Sequence, residues 1–428
     1  VRDIALVFAI LAGLGLTFNY PFVGVILWTW FAVQNPHEEA WSFSRALPLN
    51  LIISAVTVTA WMLSRERKAP PKSFLVWAML LFLAWTTFNS FFAFRPEWSW
   101  IFWDRTWKTF ALGLFIAILA TNRVRIHAII FAVVISLFYF GVKGGVFTIL
   151  NGGVNLVLGP ENTIIADNNQ LALALLMTLP LANYLRRQSV SRYLRWGIVV
   201  GMGLTLLSVV GTYSRGAFIG LSALAVAGLF RSRNKVVYII FAAIVASAAV
   251  ELMPQALWDR LGTIQSAQTD PSFHGREVAW QVAYSYAVDH FPFGAGFYGP
   301  QLAPLFHTYF PKEEPHAAHS IYFQVLGEHG FIGLALYLFL LVGALIRCST
   351  IVKATRHRPE MEWATDLARM IQMSLFAFCV AGAGLSMAYY DVFIICIGLL
   401  VSLSGIVLTG ENAAIPIETS SAVEFAHT

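Results

Sequence analysis

The stretch Pro315-His316-Ala317-Ala318-His319-Ser320-Ile321-Tyr322-Phe323-Gln324-Val325-Leu326-Gly327-Glu328-His329-Gly330-Phe331 decides how this chain is to be read. It closes the longest polar segment of the sequence and enters an apolar run that continues to about residue 346. A pair of histidines marks the crossing. An imidazole at a membrane–water boundary can accept a proton beside a lipid-linked substrate. The location of this boundary, and the cations that share its side, set the rest of the reading.

Working outward, 58% of the residues are hydrophobic and 12% are charged, against about 25% charged in a soluble domain. Apolar runs of roughly 15–22 residues suffice to cross a hydrocarbon core of about 30 Å. A β-barrel would show alternating segments of about 10 residues instead. The fold class expected is therefore an all-α polytopic membrane protein. Spans are predicted near 4–33 (broken at Asn19-Tyr20-Pro21), 47–63, 74–94, 107–121, 126–149, 168–185, 196–213, 216–230, 236–253, 319–346, 366–388 and 392–409, about twelve helices. The first apolar run lacks a cleavage site and reads as a retained span. The net charge of +5 comes from basic residues scattered among short loops, which is no nucleic-acid footprint. Cys348, Cys379 and Cys396 sit in or beside late spans, so neither a disulfide nor a cysteine zinc site is expected.

Sidedness follows from positive charge. Arg65, Arg67, Lys68 and Lys72, then Arg123 and Arg125, then Arg186, Arg187, Arg192 and Arg195, then Arg231, Arg233 and Lys235, then Arg347, Lys353, Arg356 and Arg358 occupy alternate loops. These are assigned to the cytoplasm. The opposite face receives 34–46, 95–106, 150–167, 214–215, 254–318 and 389–391. The chain divides into N-terminal transmembrane helices (1–253), a long outer loop (254–318), C-terminal transmembrane helices (319–410) and a polar cytoplasmic tail (411–428). The loop is long enough to carry function. It is expected to hold a helix from Arg276 to His290, then a turn at Phe291-Pro292-Phe293-Gly294-Ala295-Gly296.

Positive charge is disfavoured on the outer face, so the cations there need a reason. Arg215, in Gly211-Thr212-Tyr213-Ser214-Arg215-Gly216, stands at the outer start of a helix, where free N–H groups and a guanidinium fork suit phosphate; snorkelling to headgroups is the plainer alternative. Arg276 opens the loop helix, with Trp280 one turn on as a stacking partner and Glu277 or Asp270 as an ion-pair partner. Arg260 pairs with Asp259 or a headgroup, or contributes to binding. Arg95, Arg105 and Lys108 flank Trp98, Trp100, Trp103 and Trp107, the pattern of an interfacial belt.

His319 begins a span, where the helix dipole favours a neutral, basic ring. With His316, Glu313 and Glu314 it invites a metal reading, but zinc helices use i,i+4 histidines and a further ligand, and no metal is expected. Glu328 and His329 lie deeper in the same span, as an acid–imidazole pair that is either functional or satisfied internally. Asp167 and Asn168 open another span from the outer face and either bind sugar hydroxyls or cap the helix. Asp391 either orients a histidine or caps the last span. No glycine-rich nucleotide loop or paired-aspartate motif occurs on an outer loop, so no cofactor is called for.

Together, Tyr-Ser-Arg-Gly at 213–216, Gly-Arg-x-x-x-Trp at 275–280, Pro-Phe-Gly-x-Gly at 292–296 and His-Ser-x-Tyr-x-x-x-Leu-Gly-Glu-x-Gly at 319–330 resemble the O-antigen ligase superfamily. Asn35-Pro36-His37, Gly141-Val142-Lys143-Gly144-Gly145 and Asp167-Asn168-Asn169 resemble its exosortase-associated O-glycosylation ligase branch. The resemblance implies a helical fold of the GT-C type in a bacterial inner membrane. It implies transfer of a glycan from undecaprenyl diphosphate to an acceptor hydroxyl at the periplasmic face, with inversion and without metal. The acceptor it implies is lipid A–core, or alternatively a protein. His319 matches the family's essential loop histidine, and Arg215 and Arg276 match its phosphate-binding arginines; His316 matches more loosely. A polymerase using a second lipid-linked glycan, a lipid or sugar transporter and an intramembrane metalloprotease are the competing readings.

Overall fold

The computed structural model describes residues 2–40, 42–231 and 271–409. The expected span 236–253, the first part of the long loop with Arg260, and the 411–428 tail lie outside the described residues. Within them all regular structure is helical. The N-terminal part carries α1 (Arg2–Asn19), α2 (Pro21–Gln34), α3 (Leu49–Leu63), α4 (Phe74–Phe91), α5 (Pro96–Leu119), α6 (Arg123–Leu150), α7 (Asn168–Gln188), α8 (Arg192–Gly211) and α9 (Arg215–Arg231). Beyond the undescribed segment follow α10 (Pro271–Asp289), α11 (Ala303–Tyr309), α12 (Ile321–Thr355), α13 (Glu362–Gly382) and α14 (Asp391–Ser404). Seven described helices are long and apolar enough to cross a membrane, and three further apolar helices are shorter. The protein is a multi-pass helical membrane protein.

The helix starts follow local chemistry. Side chains of Ser73, Asn122, Asp167 and Ser191 each accept a hydrogen bond from a first-turn backbone N–H of α4, α6, α7 and α8. Pro21 occupies the first turn of α2, so the first apolar run splits at Tyr20 as its sequence predicts. Pro96 does the same for α5, which therefore runs through the tryptophan-rich segment expected to be an outer loop. No further proline follows Pro96 before the helix ends at Leu119. The span expected over 366–388 ends at Gly382: Gly382 and Gly384 are poor helix formers and let the chain turn.

Packing puts α14 at the centre. All fourteen of its residues are buried, as a helix apolar all round requires. It lies so close to α5 that a side chain at Gly398 would strike the Gly113 backbone. α6 packs on α8, α7 on α13 and α12 on α13, while Trp77, Phe131, Ile135, Val200 and Ile219 face outward. Contacts between loops sort them into the two sets that charge predicts. On one side Arg125 clamps Glu66, Arg123 bonds Gln188 and Arg187 bonds Asp366. On the other, Asn162 bonds Glu38, Val157 N bonds Gly211 O and Phe94 N bonds Ala295 O.

Candidate functional site

The turn between α13 and α14, Ala383 to Tyr390, is the floor of the site. α12 holds it at Ala388, whose N donates to Gln324 Oε1 (3.1 Å) and whose carbonyl accepts from Tyr337 Oη (3.1 Å), while Tyr322 Oη donates to Cys379 O (3.1 Å) at the end of α13. Two sequence-predicted residues meet this floor, and the hairpin of a third meets the end of α13 beside it. The backbone N–H of His319 donates to Ser386 Oγ at 2.9 Å. A Cβ at Gly384 would stand 3.8 Å from Arg276 Nη1, and one at Gly216, beside Arg215, would stand 3.7 Å from the Ala381 carbonyl. Small residues are what let these groups approach.

His319 sits in the positive-φ region (φ 43°), two residues before α12. Burial holds its imidazole below the usual histidine range; the Arg276 charge adds to this, Asp167 opposes it, and His316 adds to it. The ring thus lies within electrostatic reach of three other predicted residues. His316 packs its ring on Gly275, where a Cβ would be 2.9 Å from Cδ2, so the histidine pair and Arg276 share one surface. Trp280 takes a structural role: its indole donates to Ala318 O (2.6 Å) and its ring stacks on Phe323 (centroids 5.0 Å apart), fixing α10 against the His319 segment.

Arg215 is exposed at the first position of α9. Ser214 Oγ accepts from Ala217 N (3.2 Å), and Tyr213 has φ 51°, so the tip is a tight capped hairpin. Asn168 Nδ2 donates to Thr212 O (2.8 Å), tying the start of α7 to that tip. Asp167 caps α7, accepting from Asn169 N at 2.8 Å. Asn168 therefore positions the Arg215 hairpin, and Asp167 acts on His319 through its charge.

Asp391 stands apart. It accepts from Thr109 Oγ1 (2.7 Å) and faces Arg105 (3.7 Å), so it orients no histidine but joins α14 to α5. Glu328 and His329 do not pair with each other. α12 breaks at Gly330 (φ 69°, ψ −172°), which frees carbonyls that must find donors. Ala295 N and Gly296 N donate to Gly327 O and Glu328 O (2.8 and 2.9 Å), Asn89 also donates to Glu328 O, and Trp85 donates to His329 O. Gly294 N in turn donates to Asn89 Oδ1 (2.9 Å). The Pro-Phe-Gly-x-Gly and Gly-Glu-x-Gly motifs thus lock onto one another. The Glu328 carboxylate accepts from Tyr389 Oη (2.6 Å), Tyr298 N (3.1 Å) and Gln324 Nε2 (3.5 Å). His329 lies among Phe82, Phe297 and Tyr389.

Sequence reading missed Ser386, Gln324 and Asn89. Asn89 and Gln324 were detectable as polar residues inside apolar runs; Ser386 lay in what read as continuous span. Among the described residues no three His, Cys, Asp or Glu side chains gather as a metal site. Glu313 faces His274 (3.5 Å), not the His316–His319 pair.

Residues 200–338 match the family described as O-antigen ligase, and residues 1–190 match a family of unknown function. No match was found among curated proteins. Over that segment the chain is similar to the O-antigen ligase family. Arg215, Arg276, His316 and His319 lie within it; Asp167 and Asn168 fall in the other matched region.

Proposed function

We propose that this protein is an inverting glycosyltransferase that moves a glycan from undecaprenyl diphosphate to an acceptor hydroxyl, with lipid A–core as the acceptor. It would cross the inner membrane about twelve times in a GT-C arrangement, with the site at the periplasmic face. The observation that supports this reading is the approach of Arg276 and His319 to the turn after α13 and of the first turn of the Arg215 helix to the adjoining end of α13.

The parts suit the chemistry. The donor sugar is already activated by its diphosphate. The acceptor oxygen attacks the anomeric carbon from the face opposite the phosphate; the new C–O bond forms as the bond to phosphate oxygen breaks. Arg215 and Arg276 neutralise the charge that builds on the departing diphosphate. His319 takes the acceptor proton, and burial beside Arg276 keeps its ring neutral and able to do so. One such electrostatic group is worth about 10²–10³-fold and a general base about 10²–10⁴-fold.

The test is transfer by purified protein from undecaprenyl-diphosphate glycan to rough lipopolysaccharide. His319→Ala and Arg215→Ala should each abolish nearly all transfer while eluting as folded protein. Near wild-type rates in either variant would remove its assigned role. A ladder of glycan lengths would identify a polymerase, and transfer only to a protein acceptor an oligosaccharyltransferase.

A further inference from the structure

No step of the proposed transfer uses the Glu328 carboxylate. It is 3% exposed, and its two oxygens tie three separate segments of the chain. Oε2 accepts from Tyr389 Oη at 2.6 Å, in the turn that forms the floor of the site. Oε1 accepts from Tyr298 N at 3.1 Å, in the loop that follows the Arg276 helix α10. Glu328 itself belongs to α12, which starts two residues after His319. Gln324, one turn earlier on α12, reaches Oε1 at 3.5 Å and accepts from Ala388 N at 3.1 Å. The carboxylate and this amide thus hold consecutive residues of the floor. Ser386, which accepts from the His319 N–H, lies three residues before Tyr389.

Packing alone would not select a carboxylate here. Burying one costs free energy that an apolar side chain of similar size avoids. What a carboxylate adds is direction, because each oxygen demands a donor at a fixed place. Those donors are themselves held. Tyr298 has φ 63°, a conformation that persists in a non-glycine residue only where its surroundings fix it. Its ring stacks on Trp98 and Phe102 of α5 (centroids 6.0 and 5.1 Å). Tyr389 packs edge-on against Phe297 (centroids 5.1 Å). Without the carboxylate, the floor is free to shift against α10, which carries Arg276, and against the start of α12 beside His319. A displacement of about 1 Å in such a frame can cost about 10²-fold in rate.

We propose that Glu328 is a positioning residue of the transfer reaction: through Tyr389 it sets the turn against which Arg276 and His319 are aligned, and it touches no substrate. The proposal rests on the transferase reading.

The experiment compares Glu328→Gln, Tyr389→Phe and the double variant as full chains in lipid nanodiscs. It measures kcat, KM for donor and acceptor, and a thermal midpoint for each. Glutamine keeps the shape but offers one acceptor oxygen in place of two; phenylalanine keeps the ring and removes the donor. Each single variant should lose about tenfold in kcat, with KM for both substrates within about twofold of wild type. Both cut the same link, so the double variant should lose no more than the worse single one. A purely structural carboxylate would lower the thermal midpoint and leave kcat per folded protein at the wild-type value, which overturns the proposal. A rise in KM at constant kcat also overturns it, by placing Glu328 in contact with substrate. Losses that multiply in the double variant remove the route through Tyr389 and overturn it as well. Should Glu328→Gln not fold, Tyr389→Phe alone decides: the same loss in kcat upholds the proposal and a wild-type kcat overturns it. His319→Ala runs alongside. Its full transfer would sink the transferase reading and the proposal with it; its inactivity, together with wild-type kcat in the Glu328 and Tyr389 variants, would sink the proposal alone.

Discussion

At the scale of single residues, the behaviour of His319 is set by its neighbours. A general base works when neutral, so activity should fall as pH drops through its pKa. Burial and Arg276 place that pKa below the usual histidine value, which extends the working range towards acid. Asp167 opposes them. Asp167→Asn keeps a helix-capping side chain but removes the negative charge, so the acid limb of the pH–rate profile should move to lower pH. Arg276→Gln should move the limb of its residual activity to higher pH. A profile that stays fixed in both variants would mean that some other group titrates. Much of this was legible in the sequence: the histidine boundary, Arg215 and Arg276 stand out because charge is scarce in the loops that the positive-inside rule sets opposite the basic ones. What could not be read was partnership. Nothing in Asp167-Asn168 says that one residue ties down the Arg215 hairpin while the other acts through its field, since that depends on α7 and α8–α9 meeting in space.

At the scale of elements, the break in α12 is the decisive feature. Periodicity shows one apolar run over 319–346 and cannot show that it bends, because Gly330 is compatible with a straight helix. The bend is specified by tertiary partners: the 294–296 backbone, Asn89 and Trp85 take up the freed carbonyls. Gly330 is held at φ 69°, and a Cβ there would stand 2.8 Å from the Phe293 carbonyl carbon. Gly330→Ala should therefore cost about 1–3 kcal/mol and be seen as a lower unfolding temperature in detergent. A thermal midpoint equal to wild type would show that the bend tolerates a side chain. The α13 end was missed for a similar reason: Ala381-Gly382-Ala383-Gly384-Leu385 is apolar enough to read as span, yet its glycines permit the turn on which the site rests.

At the scale of the whole molecule, Arg125–Glu66 and Arg123–Gln188 bonds join loops that charge assigns to one side of the bundle. A cysteine introduced as Asn162→Cys in a background lacking Cys348, Cys379 and Cys396 should react with an impermeant maleimide added to spheroplasts. Gln188→Cys should react only after lysis. Equal labelling of both would overturn the sidedness. The reaction should also proceed at full rate in EDTA, since guanidinium groups are assigned the role a divalent ion would otherwise fill; inhibition by EDTA that a divalent ion reverses would refute that assignment.

The turn beneath the site, with Gly384 and Ser386, lies beyond residue 338, where the segment similar to the O-antigen ligase family ends. Transplanting that segment into another membrane scaffold would carry over the arginines and the histidine without the surface against which they are aligned. A working chimera of this protein must import the α13–α14 junction as well, and swaps that stop at the family boundary should yield inert hybrids.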